Sequence, residues 1–249
     1  LTGGIGATGG NEGFSHPYAL PNVSAYCETC AAIANVFWNY RMFLLHGDAK
    51  YLDVVERIIY NGFLSGVSME GNRFFYPNPL ESFRGSTRAE WFACACCPTN
   101  VVRFVPSIAG YMYAQDGKDV YVNLFIGGES PVKTENQLVK MTQATNYPWD
   151  GAVSLQVEPS KPELFAVRIR IPGWAKNRPV PSDLYRYLDQ SNEQVTLRVN
   201  GQPASFSMER GYAVLKRTWK QGDVVEILFP MPVRRVVANE KLLDDKDKV

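Results

Sequence analysis

This chain has almost no surplus of charge. Twenty-six Lys and Arg face twenty-five Asp and Glu, a formal net charge of +1 over 249 residues. So balanced a surface gives no support to nucleic-acid binding or to attraction toward an anionic membrane. No run of about eighteen apolar residues is present, which excludes a membrane-spanning helix. The opening LTGGIGATGG has neither the basic n-region nor the apolar core of a signal peptide. Internal repeats and low-complexity tracts are also missing. Histidine is scarce: His16, beside Pro17, reads as a loop residue, and His46, before Gly47, as part of a helix C-terminus. Cysteine is absent from the whole chain after residue 97.

The cysteines that are present lie in two clusters, Cys27 and Cys30 in YCETC and Cys94, Cys96 and Cys97 in ACACCP. Five is an odd number, and three packed into CACC make a poor disulfide framework. Glu28 stands inside the first cluster and Glu12 upstream of it in GGNEGFS. Thiolates with a carboxylate, drawn from distant parts of the chain, are what a borderline divalent metal such as zinc selects. Two other readings stay open on these residues: small buried hydrophobes, and a purely structural zinc site of four cysteines. Against the latter, C-x-C-C is tighter than an ordinary zinc knuckle, and an acid interrupts the first pair.

A content of 45% hydrophobic and 12% aromatic residues is that of a globular protein with a substantial core. Residues 1–23 are glycine-rich loop. From about Ser24 apolar residues recur at three- and four-residue steps to Leu45, with Gly47 as a stop and Asp48 as the cap of a second helix over 51–64. NRFFYPNPLES reads as a short extended segment, and Phe74, Phe75, Tyr76, Trp91 and Phe92 as core or as a wall for a sugar ring. Pro98 opens a third helix with Val101, Val102, Val105, Ile108, Ala109 and Met112 on its apolar face. The period then falls to two, in DVYVNLFIG, AVSLQVEP, LFAVRIRIPGW, QVTLRVNGQP, YAVLKRTW and DVVEILFPMPVRRV, the spacing of an antiparallel sandwich. The fold class expected is α then β, with domains at 1–116 and 117–249. Because the chain starts at leucine and ends in KLLDDKDKV, it is read as a piece of a longer polypeptide.

GGNEGFS, ETCA, YPNPLES, ACCPTN, IPGWA, VNG and WKQGDVVEILFPMPVRR, in this order and spacing, resemble glycoside hydrolase family 127, the beta-L-arabinofuranosidases. The resemblance runs over nearly the whole chain. It implies the C-terminal part of an (α/α)6 barrel followed by a β-sandwich. It implies a zinc ion held by Glu28, Cys30, Cys96 and Cys97, with Cys96 also the nucleophile, Glu12 the general acid/base and Tyr76 a contact to the sugar. The activity implied is retaining hydrolysis that releases L-arabinofuranose from plant-type glycans. A homodimer in the complete protein and a bacterial cytoplasmic or periplasmic location belong to the same expectation. Departures are the few legible helices, the missing histidines of the sugar pocket and the additional Cys27, so little turnover is expected of this segment alone. The alternative is a non-catalytic protein with a structural zinc and a β-sandwich that binds a glycan or partner.

Overall fold

The structure is a computed structural model that describes residues 1–83 and 85–246. Helices come first and sheets afterwards, as the change of hydrophobic period implies. Two compact units result. One comprises residues 1–108 with 178–189 and the segment from Arg234 onward; the other comprises 109–177 with 190–233.

In the first unit, α1 (Thr29–His46) and α2 (Ala49–Arg57) form a helical hairpin. Its corner is the expected one. Gly47 adopts φ 62° and donates to the Phe43 carbonyl, and the Asp48 carboxylate accepts from the Lys50 amide at 2.9 Å. α1 begins five residues later than the periodicity suggested, because Cys27 sits at φ 38° and Glu28 is extended. The second helix does run on toward Leu64, but from Ile58 to Phe63 it widens to a π-helical turn. There the N-terminal segment crosses it. The Gly62 amide donates to the Thr2 carbonyl, and a Cβ on Gly62 would come within 3.0 Å of the Gly4 nitrogen.

α3 (Cys96–Phe104) begins at the second cysteine cluster, and Pro106 ends its α-helical course, the chain continuing as a 3-10 turn over Val105–Tyr111. Its buried side is Cys97, Val101 and Phe104; Val102 and Val105, expected on that side, are exposed. Val102 is turned about 100° away from Val101, and Val105 stands where the α-helix gives way to the 3-10 turn. Phe104 packs edge-to-face on Phe63 at 4.8 Å and Phe37 at 5.8 Å.

The second unit holds two sheets. One contains β1 (Tyr113–Asp116), β2 (Asp119–Val122), β6 (Glu163–Arg170), β11 (Tyr212–Trp219) and β10 (Ser207–Glu209), in that order. The other contains β3 (Gly128–Lys133), β4 (Leu138–Thr145), β5 (Ala152–Pro159), β12 (Asp223–Leu228), β8 (Thr196–Val199) and β9 (Gln202–Pro203). Alternation decides which face is buried: Val153, Leu155 and Val157 on β5 are inside. The expectation of purely antiparallel pairing needs one correction. β2 and β6 run parallel, with Val120 opposite Val167, because β6 is reached after a long excursion through the other sheet. Two short strands, β7 (Tyr185–Tyr187) and β13 (Val236–Ala238), pair with each other inside the first unit. There Tyr185 donates to the Asp245 carboxylate at 2.5 Å and Asn22 donates to the same group at 2.8 Å.

Gly151 marks a tight backbone approach in the second unit. A Cβ there would lie 1.9 Å from the Phe229 carbonyl oxygen. Backbone cannot swing aside as a side chain can, so Gly151→Ala is expected to destabilise by about 3 kcal/mol, the upper range for overpacking. Urea denaturation checks this, and an unchanged midpoint would contradict the packing described.

Candidate active site

Two helix starts converge here. Glu28 immediately precedes α1 and Cys30 lies in its first turn, while Cys96 and Cys97 are the first two residues of α3. The cluster thus lies at the positive dipole ends of both helices. The ligand atoms of Glu28, Cys30, Cys96 and Cys97 all lie within 4.8 Å of one another. Cys30 Sγ is 3.4 Å from Cys97 Sγ, which is 3.9 Å from Cys96 Sγ. Glu28 Oε1 is 3.5 Å from Cys96 Sγ and 3.6 Å from Cys97 Sγ. The four residues that the family resemblance implies as ligands are thus brought together by the fold, in an arrangement that could hold a metal ion.

Burial pushes the Cys30 thiol up to about 12, and burial also pushes the Cys97 thiol up. Without a cation these sulfurs keep their protons; a bound dication reverses that preference. Cys27 takes no part. Its left-handed backbone turns the side chain toward the N-terminal segment, where a Cβ on Gly4 would sit 3.1 Å from Cys27 Sγ. Cys94 is exposed and also lies outside the cluster.

The segment carrying Tyr76 is fastened to the start of α1. The Thr29 amide donates to the Tyr76 carbonyl, the Thr29 hydroxyl to the Phe75 carbonyl, and the Asn78 amide to the Tyr26 carbonyl. The Tyr76 phenol is pushed up, first by its hydrogen bond to Cys96, and its ring meets Phe92 edge-to-face at 5.6 Å. Of the aromatic wall, Phe74 belongs to the core and Phe75 lies under Arg88, whereas Trp91 is 64% exposed.

Glu12 stands on an exposed turn at φ 51°, a left-handed conformation unusual for a residue with a Cβ. Its carboxylate is not loose in solvent: Tyr26 donates to Glu12 Oε1 at 2.9 Å. Burial and then this bond to Glu12 push the Tyr26 phenol up, and the ring lies 6.4 Å from that of Tyr76. His16 is bonded to Ser15, and His46 stacks on Tyr51. Neither belongs to the cluster. Reading by residue type missed two neighbours, Tyr26 and Asn100, the second of which donates to Cys30 Sγ at 3.1 Å. Asn100 had a signal, since it lies one helical turn beyond Cys96.

Comparison with known proteins decides the family. The model of the GH127 catalytic domain of beta-L-arabinofuranosidases matches residues 1–110, and that of the GH127 middle domain matches residues 119–231. The chain belongs to glycoside hydrolase family 127. It is 33% identical over 267 aligned positions to the non-reducing end beta-L-arabinofuranosidase of Bifidobacterium longum subsp. longum, covering 100% of this chain and 37% of that protein. A solved GH127 beta-arabinofuranosidase matches it with a TM-score of 0.95 at 49% identity, over 98% of this chain and 38% of the other. A GH127 beta-L-arabinofuranosidase from Geobacillus stearothermophilus T6 matches at 0.88 and 38% identity, over 99% and 38%. The GH127 chain described here therefore spans well under half the length of these relatives.

Proposed function

We propose that this GH127 chain is the part of a retaining, zinc-dependent glycoside hydrolase that carries the metal and the nucleophile, and that the whole enzyme releases L-arabinofuranose from plant-type glycans. The carrying observation is the four-donor cluster. Tetrahedral zinc with bonds of about 2.3 Å to sulfur and 2.1 Å to oxygen places its ligands roughly 3.8 Å (S···S) and 3.6 Å (S···O) apart. Four of the six pairs, sulfur–sulfur at 3.4 and 3.9 Å and oxygen–sulfur at 3.5 and 3.6 Å, lie close to those values, and all six lie within 4.8 Å. The family names borne by the relatives supply the substrate class. On this reading the first unit is the C-terminal part of an (α/α)6 barrel, and the two sheets of the second form a β-sandwich.

A zinc ion held by Glu28, Cys30, Cys96 and Cys97 would keep the cysteines as thiolates and would make the Cys96 sulfur a better leaving group. Three thiolates and a carboxylate would exceed the charge of the dication, so each sulfur would be held less firmly and Cys96 left able to attack. Its sulfur displaces the leaving oxygen at the anomeric carbon, giving a glycosyl-cysteine, while the Glu12 carboxyl donates its proton to that oxygen. The Glu12 carboxylate then takes a proton from water, which displaces the sulfur and restores the thiolate with net retention. Tyr26 holds the Glu12 carboxylate, and Tyr76, hydrogen-bonded to Cys96, is the residue assigned to the sugar contact. Reaction with a mechanism-based arabinofuranoside analogue and peptide mass spectrometry should place the label on Cys96. A labelled carboxylate would replace the sulfur in this scheme.

A second reading has one observation in its favour: four donors already complete a tetrahedron, as in closed structural zinc sites. Alkylation of the zinc-loaded protein separates the two. A catalytic Cys96 reacts, and a closed structural site protects it.

Metal binding should depend steeply on acidity. Each thiol loses its proton on ligation, so affinity rises with pH, by up to about three powers of ten per pH unit for three thiols. Chelator competition at about pH 6 and about pH 8 measures this, and a flat profile excludes thiolate ligation. In the metal-free chain the sign is opposite. The Cys30 thiol is raised on folding, so its contribution to stability is complete below the ordinary value of 9.0 and fades as pH climbs toward about 12.

A further inference from the structure

We propose that Asn100 is a positioning residue of the metal site, holding Cys30 as the permanent anchor so that Cys96 remains the sulfur free to react. This rests on the zinc reading of the cluster given above. Asn100 follows Cys96 by four residues and Cys97 by three on α3, so all three side chains leave the same helical face. From there its Nδ2 reaches the first turn of α1 and meets Cys30 Sγ at 3.1 Å. A thiolate only accepts, so the amide presents its N–H and not its oxygen once metal is bound. Such a charge-assisted bond draws electron density from the sulfur and fixes its lone pairs.

The three sulfurs are thereby made unequal. Cys97 is fully enclosed, at 0% exposure. Cys30 is half-buried and held by a donor on the protein's own helix. Cys96 is half-buried, and its hydroxyl neighbour is Tyr76. Asn100 is carried on α3 itself, whereas Tyr76 lies outside the named helices. The amide thus keeps one sulfur bound through the cycle while another leaves and returns.

The test uses the whole chain loaded with Co(II), whose sulfur-to-metal charge-transfer band reports the electron density on its thiolates. In Asn100→Ala the band should move to lower energy and metal affinity should fall about 10–100-fold, the range for loss of a hydrogen bond to a ligand. Alanine favours the helix, so α3 should persist, as circular dichroism can verify. Asn100→Asp keeps the size but sets an anion against the thiolate. It should weaken binding further, and it serves as the readout should the alanine variant fail to fold. Iodoacetamide on the zinc-loaded protein should spare Cys30 in the parent and label it in the variants. An unchanged band and affinity in a folded variant overturn the role of Asn100 and leave the zinc reading standing. A parent chain that gives no thiolate band with Co(II) overturns both.

Discussion

Replacing Cys96 by serine in the complete polypeptide is expected to lower turnover of an aryl L-arabinofuranoside by on the order of 10⁴-fold or more, the scale seen when a covalent nucleophile is removed. Two losses combine in that one atom. A serine hydroxyl remains protonated where a metal-bound thiol does not, so the attacking anion disappears. Oxygen is also the poorer leaving group of the second step. Companion variants divide ligation from attack. Cys30→Ser should weaken metal binding and regain part of its activity in excess zinc, because in the proposed scheme its sulfur only ligates. Cys96→Ser should regain nothing. Cys94→Ser should behave as the parent, since Cys94 is exposed and outside the cluster. Appreciable turnover by the zinc-loaded Cys96→Ser enzyme would remove the sulfur from the chemistry.

The cysteine clusters were legible as one site because chemistry-bearing residues are few and their types are informative. Residue types alone left a four-cysteine site open; the set Glu28, Cys30, Cys96 and Cys97 comes from the family resemblance carried by ETCA and ACCPTN, and the fold draws those four together. What sequence could not decide was which cysteine to leave out by geometry. Cys27 sits one residue from a ligand, and only its φ of 38° turns it away. That angle depends on the N-terminal segment, where the Cys27 amide bonds to the Gly6 carbonyl, a contact no local pattern encodes.

The same division between local and long-range causes runs through the fold. Gly47 and Asp48 act within a turn, so the helix corner was readable. The π-helical widening at Ile58–Phe63 answers a chain crossing more than fifty positions away in sequence, at Thr2, and was not. Strands β5 and β12 announced themselves by alternation. The parallel pairing of β2 with β6 is topology, about which a period of two says nothing. Segment 178–189 has no clear alternation and packs with the helical unit, where Tyr185 and Asp245 meet.

Glu12→Gln supplies the test that depends most on leaving-group chemistry. An amide is isosteric with the carboxyl and accepts the Tyr26 hydroxyl through its oxygen, so the contact seen at 2.9 Å can persist while the proton is lost. Removing a general acid typically costs 10²–10⁴-fold, but only where the leaving oxygen needs that proton. On arabinofuranosyl glycans, whose departing alkoxide is strongly basic, the complete enzyme should therefore lose about 10³-fold. On an aryl glycoside with an acidic phenol the first step should be nearly unaffected. Rate then becomes limited by the second step, where the same residue activates water, and the glycosyl-cysteine should accumulate as a burst of released phenol. Added azide, a nucleophile that needs no base, should relieve the block. Equal losses on both substrates, with no burst and no rescue, would assign Glu12 to binding alone and leave the proton donor to be sought elsewhere.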